Sequence, residues 1–246
     1  MTGLLKKITT TVYQAQHVEV MGTLFKELCG SLSEDGTTQL LSYRSHRFIG
    51  LTRVIDRILL KWDVLKEWYA AREAKAIRER ATPPLFPLMG HKRDLIQLLS
   101  LLQPIATFTA KAQAESPIQV DVLLDLFKLC LRRLNPAVPL RHYRSLAPTA
   151  EPEYFQTAEL TQLVRQTRQL LCDAFHVRYF RRYTDRREMA RCLFVFEMQL
   201  ALHPDFKDLE GSLRPIVQHS NQQYGENEAN NDGYFDAVVN TIKTKL

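Results

Sequence analysis

Residues 41–69 read LSYRSHRFIGLTRVIDRILLKWDVLKEWY, and this stretch decides the fold. Its apolar residues recur in alternating steps of three and four, which is the spacing of one face of an α-helix. The series consists of Phe48, Leu51, Ile55, Ile58, Trp62, Leu65 and Tyr69. Polar residues fill the remaining faces, and these are Arg53, Asp56, Arg57, Lys61, Asp63 and Lys66. The pattern predicts a core helix of an α-helical domain.

The sequence after Tyr69 extends this helix through AAREAKAIRER, whose alanines and long charged residues favour helix. Thr82-Pro83-Pro84 ends it. We therefore expect an all-α, irregular multi-helix domain organised around one long helix over about 46–80. A helix around 95–105 should be kinked or interrupted at Pro104. The proline-rich segment 135–152 should be an exposed loop. The helical domain should cover 1–222, and a polar linker with a short amphipathic helix should follow over 223–246.

The composition and charge of the chain limit the classes of function that it could have. The chain has 246 residues, and its 45% of hydrophobic and 24% of charged residues are typical of a soluble globular protein. A net charge of +6 permits binding to nucleic acid or an acidic partner, and a solvated basic surface is the alternative. The sequence contains neither a signal peptide nor an apolar run long enough for a membrane span. We expect a soluble intracellular protein with no membrane partner.

The four cysteines predict buried free thiols rather than a disulfide framework. Cys29, Cys130, Cys172 and Cys192 are isolated among apolar neighbours and form no C-x-x-C pair. Cys172 and His176 have the spacing of half a metal site, but the sequence offers no second pair of ligands. Phosphate loops, dinucleotide fingerprints and hydrolase motifs are absent as well. We therefore expect no enzymatic activity, no metal, no cofactor and no small-molecule substrate.

The densest basic cluster begins at residue 178. It alternates arginines with aromatic residues, a combination that suits nucleic acid because arginines neutralise phosphates and aromatic rings stack on bases. The same residues would also suit a helix corner with aromatic side chains in the core and arginines in water. The candidate binding residues are Arg178, Arg181, Arg182, Tyr183, Arg186 and Arg187.

Two segments resemble hAT-superfamily transposases, within the helical insertion of their RNase H-like region. YRSHRF over 43–48 followed by RVIDRILLKWDVLKEWY is similar to the arginine–tryptophan turn and long helix that begin this insertion. LALHPDFKDLE over 200–210 is similar to a segment late in it. In the family, three carboxylates outside the insertion hold the catalytic metal ions, and this chain has no recognisable counterpart of them. The resemblance therefore implies a non-catalytic, transposon-derived domain.

The resemblance also implies a nuclear location and DNA or chromatin as a partner. Arg47 and Phe48 stand at the arginine–tryptophan signature and become candidate DNA-binding residues, with Phe48 in place of the tryptophan. Phe48 also begins the apolar series, and we expect it in the core rather than stacked on a base. The alternative function is a protein-interaction scaffold or a truncated transposon relic, neither of which binds nucleic acid. Its partner would be another protein or a second copy of the chain.

Overall fold

The computed structural model describes residues 2–17, 24–29, 40, 48–114, 122, 125–126, 128–146, 149–181, 191, 236, 239–241 and 243–244. The chain divides into two compact units. The first comprises Met1–Ala106, Arg141–Phe155 and Glu159–Val164, and the second comprises Thr107–Leu140, Gln156–Ala158 and Arg165–Leu246. The predicted boundary between 222 and 223 lies outside the described residues, so that division stays a prediction.

The predicted long helix is present in the first unit. Helix α1 covers Thr2–His17, α2 covers Phe48–Leu60 and α3 covers Trp62–Arg78. Only Lys61 separates α2 from α3, and its backbone N–H still donates to the carbonyl oxygen of Arg57 at 3.1 Å. The N–H of Leu65 in turn donates to the carbonyl of Lys61 at 2.9 Å. The hydrogen-bond ladder therefore continues from α2 into α3.

The apolar series of α2 and α3 lies in the core, as predicted. All of its members with a described side chain are buried, namely Leu51, Ile55, Ile58, Trp62, Leu65 and Tyr69. Aromatic rings join this series to other parts of the first unit. Phe86 contacts the rings of Trp62 and Tyr69 at centroid distances of 5.3 and 4.7 Å. Phe25 meets Trp68 edge-on at 5.9 Å.

The assignment of Lys61 to a polar face was wrong, because its side chain is buried. Val54, Lys61 and Trp68 are spaced seven residues apart and are all buried. They form a second row beside the predicted series, so the buried face is wider than a narrow two-position seam. This width is typical of a helix enclosed by a globular core rather than one that pairs with a single partner helix.

Helix α3 ends at Arg78, earlier than the proline-rich signal suggested. Arg80 adopts a left-handed backbone conformation with φ of 55°. The N–H of Ala81 donates to the carbonyl of Ala76 at 2.9 Å, and that of Arg80 to the carbonyl of Ile77 at 3.2 Å. These two bonds have the pattern of a Schellman motif, which satisfies the last carbonyls of a helix.

Helix α4 covers Lys92–Ala112 and runs through Pro104 without the predicted interruption. Proline cannot donate to the carbonyl four residues earlier, so the turn at Pro104 lacks one hydrogen bond. Leu102 and Ile105, on either side of the proline, are both buried. Burial of these side chains maintains the helix where the backbone alone would favour a break.

The segment predicted as an exposed loop is partly ordered and partly buried. Strands β1, Leu140–Arg141, and β2, Tyr154–Phe155, form a two-stranded sheet. A 3₁₀ turn over Tyr143–Ser145 lies between them. Ser145 is buried and its hydroxyl donates to the carbonyl of His142 at 3.0 Å. Local hydrogen bonds therefore give this segment a structure that its proline content did not predict.

The second unit combines α-helical and π-helical turns. Residues 122, 125–126 and 128 are helical, a π-helix covers Leu129–Leu134, and the chain becomes extended at Asn135. Helix α5 covers Gln162–Phe175 and continues into a second π-helix, His176–Phe180. Most of the chain is helical, with one small sheet, which confirms the predicted all-α fold class.

Candidate nucleic-acid interface

The described candidate residues lie where α5 passes into its π-helix. Arg178 is within His176–Phe180 and Arg181 follows directly, and both side chains are exposed. The N–H of Arg181 donates to the carbonyl of His176, five residues earlier, as in a π-helix. The structure thus places two of the predicted arginines in solvent.

The other candidates cannot be placed at this surface. Phe48 is the first residue of α2, and its side chain lies outside the described part of the chain. Five candidates and the HPDFK segment over 203–207 lie wholly outside the described residues. Those candidates are Arg47, Arg182, Tyr183, Arg186 and Arg187. Their roles stay predictions.

Two aromatic rings accompany the exposed arginines. The rings of Phe175 and Tyr179 are 5.6 Å apart at an angle of 41°, and both side chains are half-buried. The four-residue spacing brings these rings together at the end of α5. Each ring therefore has one part in contact with its neighbour and another part accessible to solvent. This arrangement offers apolar surface next to guanidinium groups.

Basic and acidic residues are nearly balanced in the second unit, which has 16 lysines and arginines and 14 acidic residues. The first unit has 17 lysines and arginines and 13 acidic residues. Among the described residues of the second unit, eight basic side chains are exposed, and these are Lys111, Lys128, Arg132, Arg165, Arg178, Arg181, Arg191 and Lys243. The arginine cluster is thus a local concentration of positive charge rather than a surplus of the whole second unit.

A second group of aromatic and cationic side chains lies in the first unit, and sequence reasoning missed it. The ring of His142 contacts Tyr143 at 4.8 Å and Phe155 at 5.2 Å. The guanidinium of Arg144 lies 5.7 Å from the Tyr143 ring centroid, and its Nε donates to the Tyr143 hydroxyl at 3.1 Å. The run RHYR over 141–144 was the available signal, but Phe155 is brought to it by the sheet.

Burial lowers the pKa of His142, and nearby Glu153 opposes that decrease. The Nδ1 atom accepts a hydrogen bond of 3.1 Å from the backbone N–H of Arg144, which requires an unprotonated nitrogen. Glu153 Oε2 is 3.9 Å from the same nitrogen, which is a weaker contact than that hydrogen bond. The geometry and the direction of the pKa shift both favour a neutral imidazole.

The described residues contain no group of three or more histidine, cysteine or acidic side chains that could hold a metal ion. Cys172 and His176, whose spacing alone would suit half a metal site, are both buried. Among the helices that the structure describes, none has both the length and the apolar character needed to cross a membrane. No protein-family model, curated protein or solved structure matches the chain.

The first unit also exposes several large apolar side chains. Leu85 is 82% exposed in the segment between α3 and α4, and Met89 in the same segment is 61% exposed. Leu60 at the end of α2 and Ile77 at the end of α3 are 55% and 62% exposed. Single exposed apolar residues are common on monomeric proteins, whereas a contiguous patch of them would suit protein association.

Proposed function

We propose that the chain is a non-catalytic DNA-binding domain of the kind that hAT transposases carry as a helical insertion. The observation that supports this most strongly is the end of α5, where the exposed Arg178 and Arg181 and the half-buried rings of Phe175 and Tyr179 occupy one short segment. Arginines and lysines bind the phosphate backbone and release condensed counterions, which favours association. The proposal implies a nuclear location.

The exposed end of α5 contributes both parts of such an interface. Arg178 and Arg181 supply exposed cations, and the rings of Phe175 and Tyr179 belong to the same short segment. Guanidinium groups bind phosphate oxygens in a bidentate manner, and partly exposed rings give unpaired bases a surface for stacking. This combination favours DNA with accessible bases, such as single strands or hairpins, over a fully paired duplex.

The experiment is a titration of fluorescently labelled DNA with the full chain at several salt concentrations. If six phosphates are neutralised, the logarithm of the binding constant falls with the logarithm of the salt concentration at a slope of about −5 for duplex DNA. Hairpin and single-stranded probes of equal length should bind more tightly than the duplex. Absence of binding at low salt, or binding without salt dependence, would contradict the proposal.

The second candidate function is a protein-interaction scaffold or self-associating domain. The exposed side chains of Leu60, Ile77, Leu85 and Met89 in the first unit favour it. Sedimentation of the chain over a range of concentrations separates the two functions. A scaffold that self-associates would form a dimer or larger assembly and would bind no DNA probe.

A further inference from the structure

Arg168 is a charged side chain enclosed within the second unit. It lies on α5, and only 1% of its surface is exposed. Its Nε donates a hydrogen bond of 2.9 Å to the backbone carbonyl of Arg133, which fixes one edge of the planar guanidinium group. Nη1 and Nη2 are both buried, and neither has a hydrogen-bond partner among the described residues. The two terminal nitrogens, which bind oxyanions in a bidentate fork, are therefore unsatisfied.

The guanidinium does not lose its charge in this environment. Burial lowers the pKa of Arg168 to about 10, and Cys172 opposes part of the decrease. A group with a pKa near 10 is almost wholly protonated at neutral pH. A buried cation with unsatisfied donors is strongly unfavourable, because neither water nor a counter-charge replaces its lost hydration. Such a residue needs an anion.

The neighbouring side chains do not supply that anion. Cys172 is four residues after Arg168 on the same face of α5, and a thiol is only a weak hydrogen-bond acceptor. Burial raises the pKa of Cys130 well above its usual range, and nearby Cys172 adds to the increase, so the Cys130 thiol is uncharged. Among the described residues, Arg168 forms no ion pair with a carboxylate. No described carboxylate therefore compensates the positive charge.

We propose that Arg168 anchors an internal binding site for a compact oxyanion, a phosphate or carboxylate group, held by Nη1 and Nη2 together. The spacing of the two nitrogens matches that of two oxygens on one phosphorus or carbon atom. Because the side chain is enclosed, the ligand enters during a local opening of the second unit. The site is separate from the exposed Arg178 and Arg181 and does not depend on the DNA-binding proposal.

The test is a series of thermal melts of the full chain in inorganic phosphate, acetate or chloride at pH 7 and constant ionic strength. The variants are Arg168→Met, which keeps an apolar side chain of similar length, and Arg165→Met, which removes an exposed arginine from the same helix. A ligand that binds only the folded state raises the melting midpoint as its concentration increases. We expect this rise in the wild type and in Arg165→Met, and no rise in Arg168→Met. At about 100 times the dissociation constant the rise should be roughly 5–10 °C.

The salts distinguish the two oxyanions. A rise in phosphate but not in acetate identifies a phosphate site, and a larger rise in acetate identifies a carboxylate site. Equal shifts in the wild type and Arg168→Met reflect a general salt effect and would overturn the proposal, as would no shift beyond that in chloride. If Arg168→Met does not fold, Arg168→Lys takes its place, because lysine keeps the positive charge but lacks the pair of terminal nitrogens. Its dissociation constant for phosphate, measured by calorimetry, should rise at least about tenfold, and an unchanged affinity would overturn the proposal.

Discussion

The hydroxyl group of Tyr69 donates a hydrogen bond of 2.7 Å to the side-chain oxygen of Gln14. This bond joins α3 to α1 across 55 positions of sequence within the first unit. Burial raises the pKa of Tyr69 to about 12. The hydroxyl therefore keeps its proton, and with it the hydrogen bond, at pH values where an unfolded tyrosine ionises.

Replacing Tyr69 with phenylalanine should change the response of folding to alkaline pH. The unfolded tyrosine ionises near pH 10, so the stability contributed by the raised pKa is present below pH 10 and is lost between about pH 10 and 12. Tyr69→Phe should be about 1 kcal/mol less stable than the wild type at pH 8. It should also lose less stability between pH 10 and 12. Urea unfolding at pH 8, 10 and 12 measures the stability of the wild type and the variant. Tyr13→Phe, which alters an exposed tyrosine on α1, is the control.

Trp68 should be among the residues most sensitive to truncation. It is buried, it contacts the rings of Phe25 and Tyr69, and Arg72 lies 4.5 Å above its ring. Trp68→Ala should lower the free energy of unfolding by about 3–5 kcal/mol, because it removes these contacts and leaves a cavity. Ile77→Ala, which truncates an exposed side chain on the same helix, should change it by less than about 0.5 kcal/mol. Similar losses from both substitutions would contradict the burial of Trp68.

Glycine at position 80 should stabilise the end of α3. Arg80 has a φ of 55°, which is unfavourable for a residue with a side chain and acceptable for glycine. Arg80→Gly should therefore raise the free energy of unfolding by about 1 kcal/mol. Glu79→Gly is the matched control, because Glu79 has a φ of −85° and gains nothing from glycine. We expect Glu79→Gly to be destabilising in the same urea experiment, and equal effects of the two glycines would exclude strain at Arg80.

His142 should make the protein less stable in acid. As the pH falls, His142 binds a proton near pH 6.5 in the unfolded chain and only at a lower pH in the folded protein, because folding lowers its pKa. The stability linked to the neutral ring is present above pH 6.5 and is lost as the pH falls through the lower value of the folded state. Asparagine can also accept the hydrogen bond from the N–H of residue 144, but it does not titrate. His142→Asn should therefore lose less stability between pH 7.5 and 5.5, and an identical loss would place the pKa of His142 at its ordinary value.

The exposed arginines of the second unit should set part of the salt dependence of DNA binding. Each phosphate contact contributes about 0.9 to the slope of log K against log salt concentration on duplex DNA. Arg178→Ala combined with Arg181→Ala should therefore reduce the magnitude of the slope by about 2. The control combines Arg53→Ala and Arg78→Ala, which remove two exposed arginines of the first unit. An equal reduction from both pairs would indicate general electrostatic attraction rather than a site at the end of α5.

Sequence periodicity was sufficient to predict the long helix and the burial of its apolar series, because residues on the core face of a helix recur every three or four positions. It could not predict the second buried row, in which Lys61 lies between Val54 and Trp68. A lysine is normally predicted to be exposed. The width of the buried face of α2 and α3 depends on the elements that pack around them, which the sequence of the helix does not specify. The end of α3 at Arg78 is within two residues of the predicted end at about 80, but the left-handed conformation of Arg80 was not predictable, because sequences usually mark it with glycine.

The candidate site was predictable only where it is continuous in sequence. Arg178 and Arg181 were found because arginines and aromatic residues alternate along one segment. The contact of His142 with Phe155 depends on a short sheet that joins residues thirteen positions apart, and the two-residue strands have no alternating pattern. The burial of Arg168 was also hidden, because an arginine on an amphipathic helix ordinarily faces water.

The π-helix at the end of α5 affects the direction in which the arginine side chains point, and it does not affect the charge of the second unit. A π-turn holds about one residue more than an α-turn, as an insertion of one residue into a helix would produce. Removing one residue from His176–Phe180 would convert the π-turn into an α-turn, and Arg181 would keep nearly the same direction around the helix axis. Removing one residue from the α-helical part of α5 would instead rotate Arg181 by about 100°. Removing an uncharged residue at either place leaves the net charge the same, so the direction of this arginine depends on which kind of turn loses the residue.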